Sequence, residues 1–422
     1  MAEGTKQKFF PALTGVRALA AILVFLTHFG YVLFAWAPAW VQRYCNELSI
    51  GLPMFFVLTG FLITIRYFDG FELSMKWAKK YWISRAARLY PMYFIFTTLA
   101  FVYWYFNQQS AASLVGEANH PWFTIFLNLT FLRGFFEDLK FTGIGQGWSI
   151  TVDVVFYVIT PIVFYLVKKD RKFLIWQPLV FVPMGYLLVY IFGRFNWYGF
   201  MGNIVFMLYY TFFGRCIEIF VGMVLALYYH KMKVNQFGKI KITYIGFVLM
   251  FVCIYFFTLI PLGPGQVFGI KTYTGMILDT VMLTPAIGIF FLGLIREETI
   301  MQRILSGKFV TLLSNSSFLF YLIHLGPISN FIHNGINWLN DKVFELYDKW
   351  GLDWHSPFEN DAINVFYILA ALFGISIFIY KFVEEPLNRR VKEFLTHKKT
   401  HAKPLDADVA PASIGSDVIE VK

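Results

Sequence analysis

Charge is what this sequence has least of. Only 15% of its 422 residues are Asp, Glu, Lys or Arg, where a soluble globular domain carries roughly a quarter. So few charges cannot cover a water-facing surface, which excludes an ordinary soluble fold. Cysteine is scarce as well: Cys45, Cys216 and Cys253 are the only three, and the last two lie inside apolar runs. That excludes a disulfide framework and leaves no CxxC metal motif. The formal net charge is +10, but it comes without a basic stripe or an aromatic nucleic-acid module. No nucleic-acid partner is expected. A cleavable leader is not expected either, because Leu13–Phe34 is too long for one and lacks a small-residue cleavage site after it.

What the chain has is hydrophobic length. It is 58% hydrophobic and 20% aromatic, and apolar runs of about 18 residues or more are candidate membrane spans. Ten are expected: Leu13–Phe34, Leu48–Ile65, Leu89–Phe106, Ile150–Val167, Phe173–Phe192, Ile204–Tyr229, Ile242–Ile260, Met276–Ile295, Leu312–Ile332 and Ile363–Tyr380. Trp122–Leu132 is too short to cross and reads as a re-entrant or interfacial piece. The expected fold is an all-α integral membrane protein, a bundle of about ten transmembrane helices over residues 1–395. Residues 396–422 read as a short cytoplasmic tail, expected to be disordered.

Loop charge orients the bundle. With the N-terminus in the cytoplasm, 27 of the 36 Lys and Arg fall on the inside, 7 in the outside loops and 2 within spans. Positive charge favours the cytoplasmic side, so both termini are expected there, in the cell (inner) membrane. Two outside loops, Asn107–Gly147 and His333–Asp361, are long enough for a lid, a binding surface or a solvated connector.

Ionisable groups inside spans are costly and mark function by default. Here they are Arg17, His28, Asp153, Arg215, Glu218, Asp279 and His324. Arg17 and His28 are eleven residues apart, which brings a helix back to within about 20° of its starting face and separates them by about 16 Å. Arg17 then lies toward the cytoplasm and His28 in the outer half, where a neutral imidazole can take a proton from a hydroxyl. Asp153, four residues after Ser149, is expected at the depth of His28 and able to orient it. Arg215 and Glu218 share a face and can pair; Asp279, near a span end, reads more as structural. Arg85 and Arg88, also i, i+3, suit phosphate oxygens, among the basic residues Lys76, Lys79 and Lys80.

These residues carry a resemblance. LTGVRALAAILVFLTHF has the Arg-x(10)-His spacing of the membrane-bound acyltransferase-3 family, whose members transfer acyl groups from acyl-CoA to hydroxyls, often on surface carbohydrates. GLPMFFVLTGFLIT, ISRAARLYP, GWSITVDVVFY, RCIEIFVG, SSFLFYLIH and FVEEPLNRR resemble its later motifs in order, from about Phe9 to Leu395. Asp153 stands where the family usually has glutamate, and Ile219 where it has phenylalanine. The resemblance implies a catalytic His28, assisted by Asp153. It also implies acyl-CoA or substrate binding by Arg17, Arg85, Arg88, Trp148 and Ser149, with Arg215, Glu218 and His324 in support. The implied activity is transfer of an acyl group, expected to be acetyl, from cytosolic acyl-CoA to a carbohydrate or glycan hydroxyl, with no permanently bound cofactor and no metal. The runner-up is a transporter or flippase of a lipid-linked or acylated substrate, in which the same buried groups form a substrate or proton path.

Overall fold

The computed structural model describes residues 10–106, 120–232 and 240–395. Among them the chain is helical throughout, with no strand beyond an isolated bridge between Phe136 and Phe200. Eight helical stretches are long and apolar enough to cross a bilayer: Pro11–Leu33, Ala39–Tyr67, Met75–Phe106, Gly145–Lys169, Phe173–Phe192, Ile204–Tyr228, Tyr273–Arg296 and Asp361–Val391. A further apolar helix, Ile242–Thr258, has 17 residues, about 25 Å at 1.5 Å per residue. The chain is a multi-pass membrane protein. Helices prevail because a bilayer offers no water to backbone groups, which must therefore pair within their own segment. Pro121–Leu129, nine residues long, is too short to cross.

The expected span Leu312–Ile332 is corrected. It is three helices, Lys308–Asn315, Ser317–Ile323 and Pro327–Trp350. The break falls at Gly326, whose φ of 91° is open to glycine, and Pro327 starts the next helix at its first turn. Gln146 answers the break by donating to the freed carbonyls of Tyr321 at 2.7 Å and Leu322 at 2.9 Å.

Close helix approach holds the bundle around its site. Gly60 on Gly51–Tyr67 and Gly222 on Phe212–Tyr228 face each other's helix, and a Cβ at either would strike a carbonyl oxygen of the other. Small residues at such a crossing let backbones meet, the usual source of helix association in lipid. The core formed there is rich in phenylalanine, with Phe56, Phe61 and Phe220 buried. Two helices contain π-helical turns, Asp279–Leu283 and Tyr380–Glu384. Each brings an acidic side chain, Asp279 and Glu384, into the protein, as π-turns at functional positions often do.

Candidate active site at the two ends of the first helix

Pro11–Leu33 is one unbroken helix, so Arg17 and His28 lie on one face, separated along its axis by about 16 Å. Each end meets a different set of neighbours.

At the Arg17 end, Arg88, Glu384, Tyr157 and Tyr380 act on the guanidinium electrostatically. Arg88 comes from Met75–Phe106, Tyr157 from Trp148–Lys169 and Glu384 from the π-turn. Arg88 is exposed. None of the ion pairs within 4.0 Å among the described residues uses Arg17 or Arg88. Glu384 is buried, hydrogen-bonded to Asn388, and keeps one carboxylate oxygen without a partner. Arg85 differs from Arg88. It is buried, donates to the Tyr67 hydroxyl at 2.5 Å and lies over that ring at 4.9 Å. The arginine pair is therefore divided, with Arg85 buried and Arg88 exposed. Lys76, Lys79 and Lys80 are exposed.

Asp153 belongs to this end. Its carboxyl is hydrogen-bonded by Thr59 and faces Arg17 and Arg88, with Oδ1 unpartnered. The expected contact with His28 is corrected: no His28–carboxylate pair lies within 4.0 Å among the described residues. The reason is depth. Ser149 sits level with Tyr321, and Asp153 is four residues further along the helix, about 6 Å toward Arg17.

At the other end the His28 ring meets His324, with centroids 5.6 Å apart. His324 is fully buried, and its Nδ1 lies 2.9 Å from the Tyr321 carbonyl oxygen. A carbonyl only accepts, so Nδ1 carries the proton and Nε2 presents a lone pair. That Nε2 is buried without a partner. Tyr321 anchors the neighbourhood: its hydroxyl lies 2.7 Å from Ser149 Oγ and donates to the Gln146 carbonyl at 3.1 Å. Trp148 packs on Tyr210 at 4.6 Å and Tyr209 at 5.7 Å. Trp148 and Ser149 thus stand at the histidine end, away from the arginine end.

Arg215 pairs with Glu218 at 2.7 Å and with Asp279 at 2.5 Å, all three buried, and donates to the Tyr209 carbonyl. It props the aromatic wall behind His28. Arg133, buried and unremarked in the sequence, donates to Asn128 and to the carbonyls of Thr142 and Ile144, shaping the loop that delivers Gln146. Glu384, by contrast, lies in the FVEEPLNRR motif, which could have pointed to it. Among the described residues no three of His, Cys, Asp or Glu converge to hold a metal ion.

Known proteins share this sequence pattern. The chain is 28% identical over 200 residues to peptidoglycan O-acetyltransferase OatA of Listeria monocytogenes, covering 42% of this chain and 30% of that protein. It is 24% identical over 271 residues to a Bacillus subtilis protein provisionally named peptidoglycan O-acetyltransferase YrhL, covering 59% and 39%. A provisionally named O-acetyltransferase of Staphylococcus aureus is 21% identical over 352 residues, covering 78% and 52%. The match spans about half or less of each relative's length. No solved structure matches. The acyltransferase-3 profile, described as an acyltransferase domain, matches residues 10–381, nearly the whole chain, which therefore belongs to this family of membrane acyltransferases.

Proposed function

We propose that the protein is an O-acyltransferase that moves an acetyl group from cytosolic acetyl-CoA to a hydroxyl of a surface glycan. The carrying observation is the first helix, which presents a guanidinium at one end and, at the other, an imidazole packed beside His324. Arg17 and Arg88, in no ion pair within 4.0 Å among the described residues, suit the phosphates of coenzyme A. Fixed guanidiniums bind phosphate by charge-assisted, bidentate hydrogen bonds. An extended pantetheine arm can bridge the distance from Arg17 to His28 and bring the thioester to the imidazoles. The relatives' names, which speak of O-acetyl transfer and peptidoglycan, support acetyl as the group and a glycan as the acceptor.

The chemistry is then general-base catalysis. His28, partly open to the path, takes the proton of the acceptor hydroxyl as its oxygen attacks the thioester carbonyl. The tetrahedral intermediate expels the thiolate of coenzyme A, which receives the proton from the imidazolium. The His324 ring, 5.6 Å from that of His28, packs beside the base and limits its rotation, the part assigned to Asp153 on sequence. Asp153 instead balances Arg17 and Arg88. The positive-inside charge bias supports a cytoplasmic N-terminus with the arginine end on the donor's side.

The test is release of free coenzyme A thiol from acetyl-CoA by the purified protein, with the wild type and His28→Ala compared in the presence of an oligosaccharide. General-base help is worth about 10²–10⁴-fold, and a loss of that size is expected. Normal turnover by a folded His28→Ala protein would sink the assignment, and transport of an intact acylated substrate would favour a flippase.

A further inference from the structure

Close to the histidine end stands a cation that the transfer reaction does not use. Lys271 ends a short turn, Gly269–Lys271, just before the span beginning at Tyr273. Its ammonium lies 3.7 Å from the Phe268 ring centroid and 5.7 Å from that of Tyr209. It is only partly exposed, and no carboxylate comes within 4.0 Å of it among the described residues. The nearest acid in the field, Glu47, is fully buried, and its two oxygens accept the backbone N–H groups of Gly269 and Ile270. Glu47 therefore fixes the turn that carries Lys271.

Trp148, Tyr209 and Tyr210 pack together behind Lys271, with Trp148 and Tyr209 buried and Tyr210 partly exposed. Lys271 acts electrostatically on His28, so the cation and the base share one neighbourhood. A second lysine, Lys140, flanks the same wall 5.4 Å from the Tyr210 centroid, balanced by Glu137 and Asp138. A half-buried ammonium with no carboxylate within 4.0 Å among the described residues is costly, and an anionic ligand in direct contact would offset that cost.

We propose that the glycan acceptor carries an anionic group, a carboxylate or a phosphate, that pairs with Lys271 while a neighbouring sugar presents its hydroxyl to His28. This rests on the acyl-transfer reading. It makes Lys271 a specificity residue for the acceptor. Burial lowers the ammonium pKa to about 8, which agrees with a site that awaits a counter-ion.

The experiment measures binding of three oligosaccharide probes to the full-length protein in detergent: tetragalacturonate, its neutral methyl ester, and a phosphorylated mannotetraose. Wild type, Lys271→Met and Lys271→Arg are compared after each is shown to be monodisperse. One of the charged probes should bind wild type at least tenfold more tightly than the ester. Lys271→Met should erase that preference and Lys271→Arg should keep it. Preference for the uronate names a carboxylate source, and preference for the phosphorylated chain a phosphate source. Equal binding of ester and charged probes, absence of charged-probe binding, or a preference surviving in Lys271→Met overturns the proposal. Acetyl transfer to the neutral ester without charge preference would overturn this inference and leave the transferase intact. Charge preference without any acetyl transfer would do the reverse.

Discussion

At the scale of single residues, the molecule separates charges that are spent from charges that are free. Arg215 is spent: with Glu218 and Asp279 it forms a buried triad. Removing one member of such a set leaves unpaired charge in the interior, at about 3–5 kcal/mol. Arg215→Ala should therefore lower the melting temperature sharply, and the combination Arg215→Met, Glu218→Gln, Asp279→Asn should recover much of the loss, read by fluorescence-detected unfolding in detergent. If Arg215→Ala melts like wild type, the triad carries no structural burden. His324 is the residue whose role changed most. Its ring lies 5.6 Å from that of His28 and its Nε2 is unpartnered, so His324→Ala should cost about 10²-fold in kcat with little change in KM. His324→Gln, which can still accept a hydrogen bond, should retain more activity than alanine. Lys271 predicts a pH effect. Burial lowers its pKa to about 8, Glu47 works against that and Lys140 adds to it. The cation is present below that pH and lost above it, so KM for a charged acceptor should rise between pH 7 and 9, and the rise should vanish in Lys271→Arg.

At the scale of elements, the legible features were those carried by one helix. The eleven-residue spacing of Arg17 and His28 needs only a continuous helix to place both on one face, and Pro11–Leu33 is continuous. Pairing of Arg215 with Glu218 is likewise local, three residues apart. The contact expected between Asp153 and His28 crosses between helices, and depth along two separate axes decides it. Hydropathy cannot supply that. Nor could it show the break at Gly326, since LIHLGPISNFI is apolar on both sides of the turn. What breaks the helix is backbone conformation at one glycine, together with a glutamine from another segment that satisfies the freed carbonyls. The crossing of Gly51–Tyr67 with Phe212–Tyr228 is testable at this scale. Gly222→Leu would drive a side chain into the Val57 carbonyl, and overpacking typically costs about 1–3 kcal/mol, occasionally more. Loss of monodisperse protein is expected, whereas Gly374→Leu, where nothing lies within 4 Å, should be tolerated.

At the scale of the whole molecule, two polar neighbourhoods stand at different depths of an apolar bundle, joined by one helix. The arginine end gathers Arg17 and Arg88 with Asp153 and Glu384; the histidine end is walled by aromatics and closed on one side by a broken helix. Division of labour between a donor-binding end and a reacting end follows from that separation. The most direct measurement is coenzyme A binding, by thermal stabilisation, alongside acetyl transfer for four proteins: wild type, Arg17→Ala, Arg88→Ala and His28→Ala. The account predicts that His28→Ala is stabilised by coenzyme A as wild type is, yet transfers at least a hundredfold more slowly. It predicts that Arg17→Ala and Arg88→Ala lose at least tenfold in coenzyme A affinity. Wild-type coenzyme A affinity in both arginine variants, or wild-type transfer by His28→Ala, would contradict it.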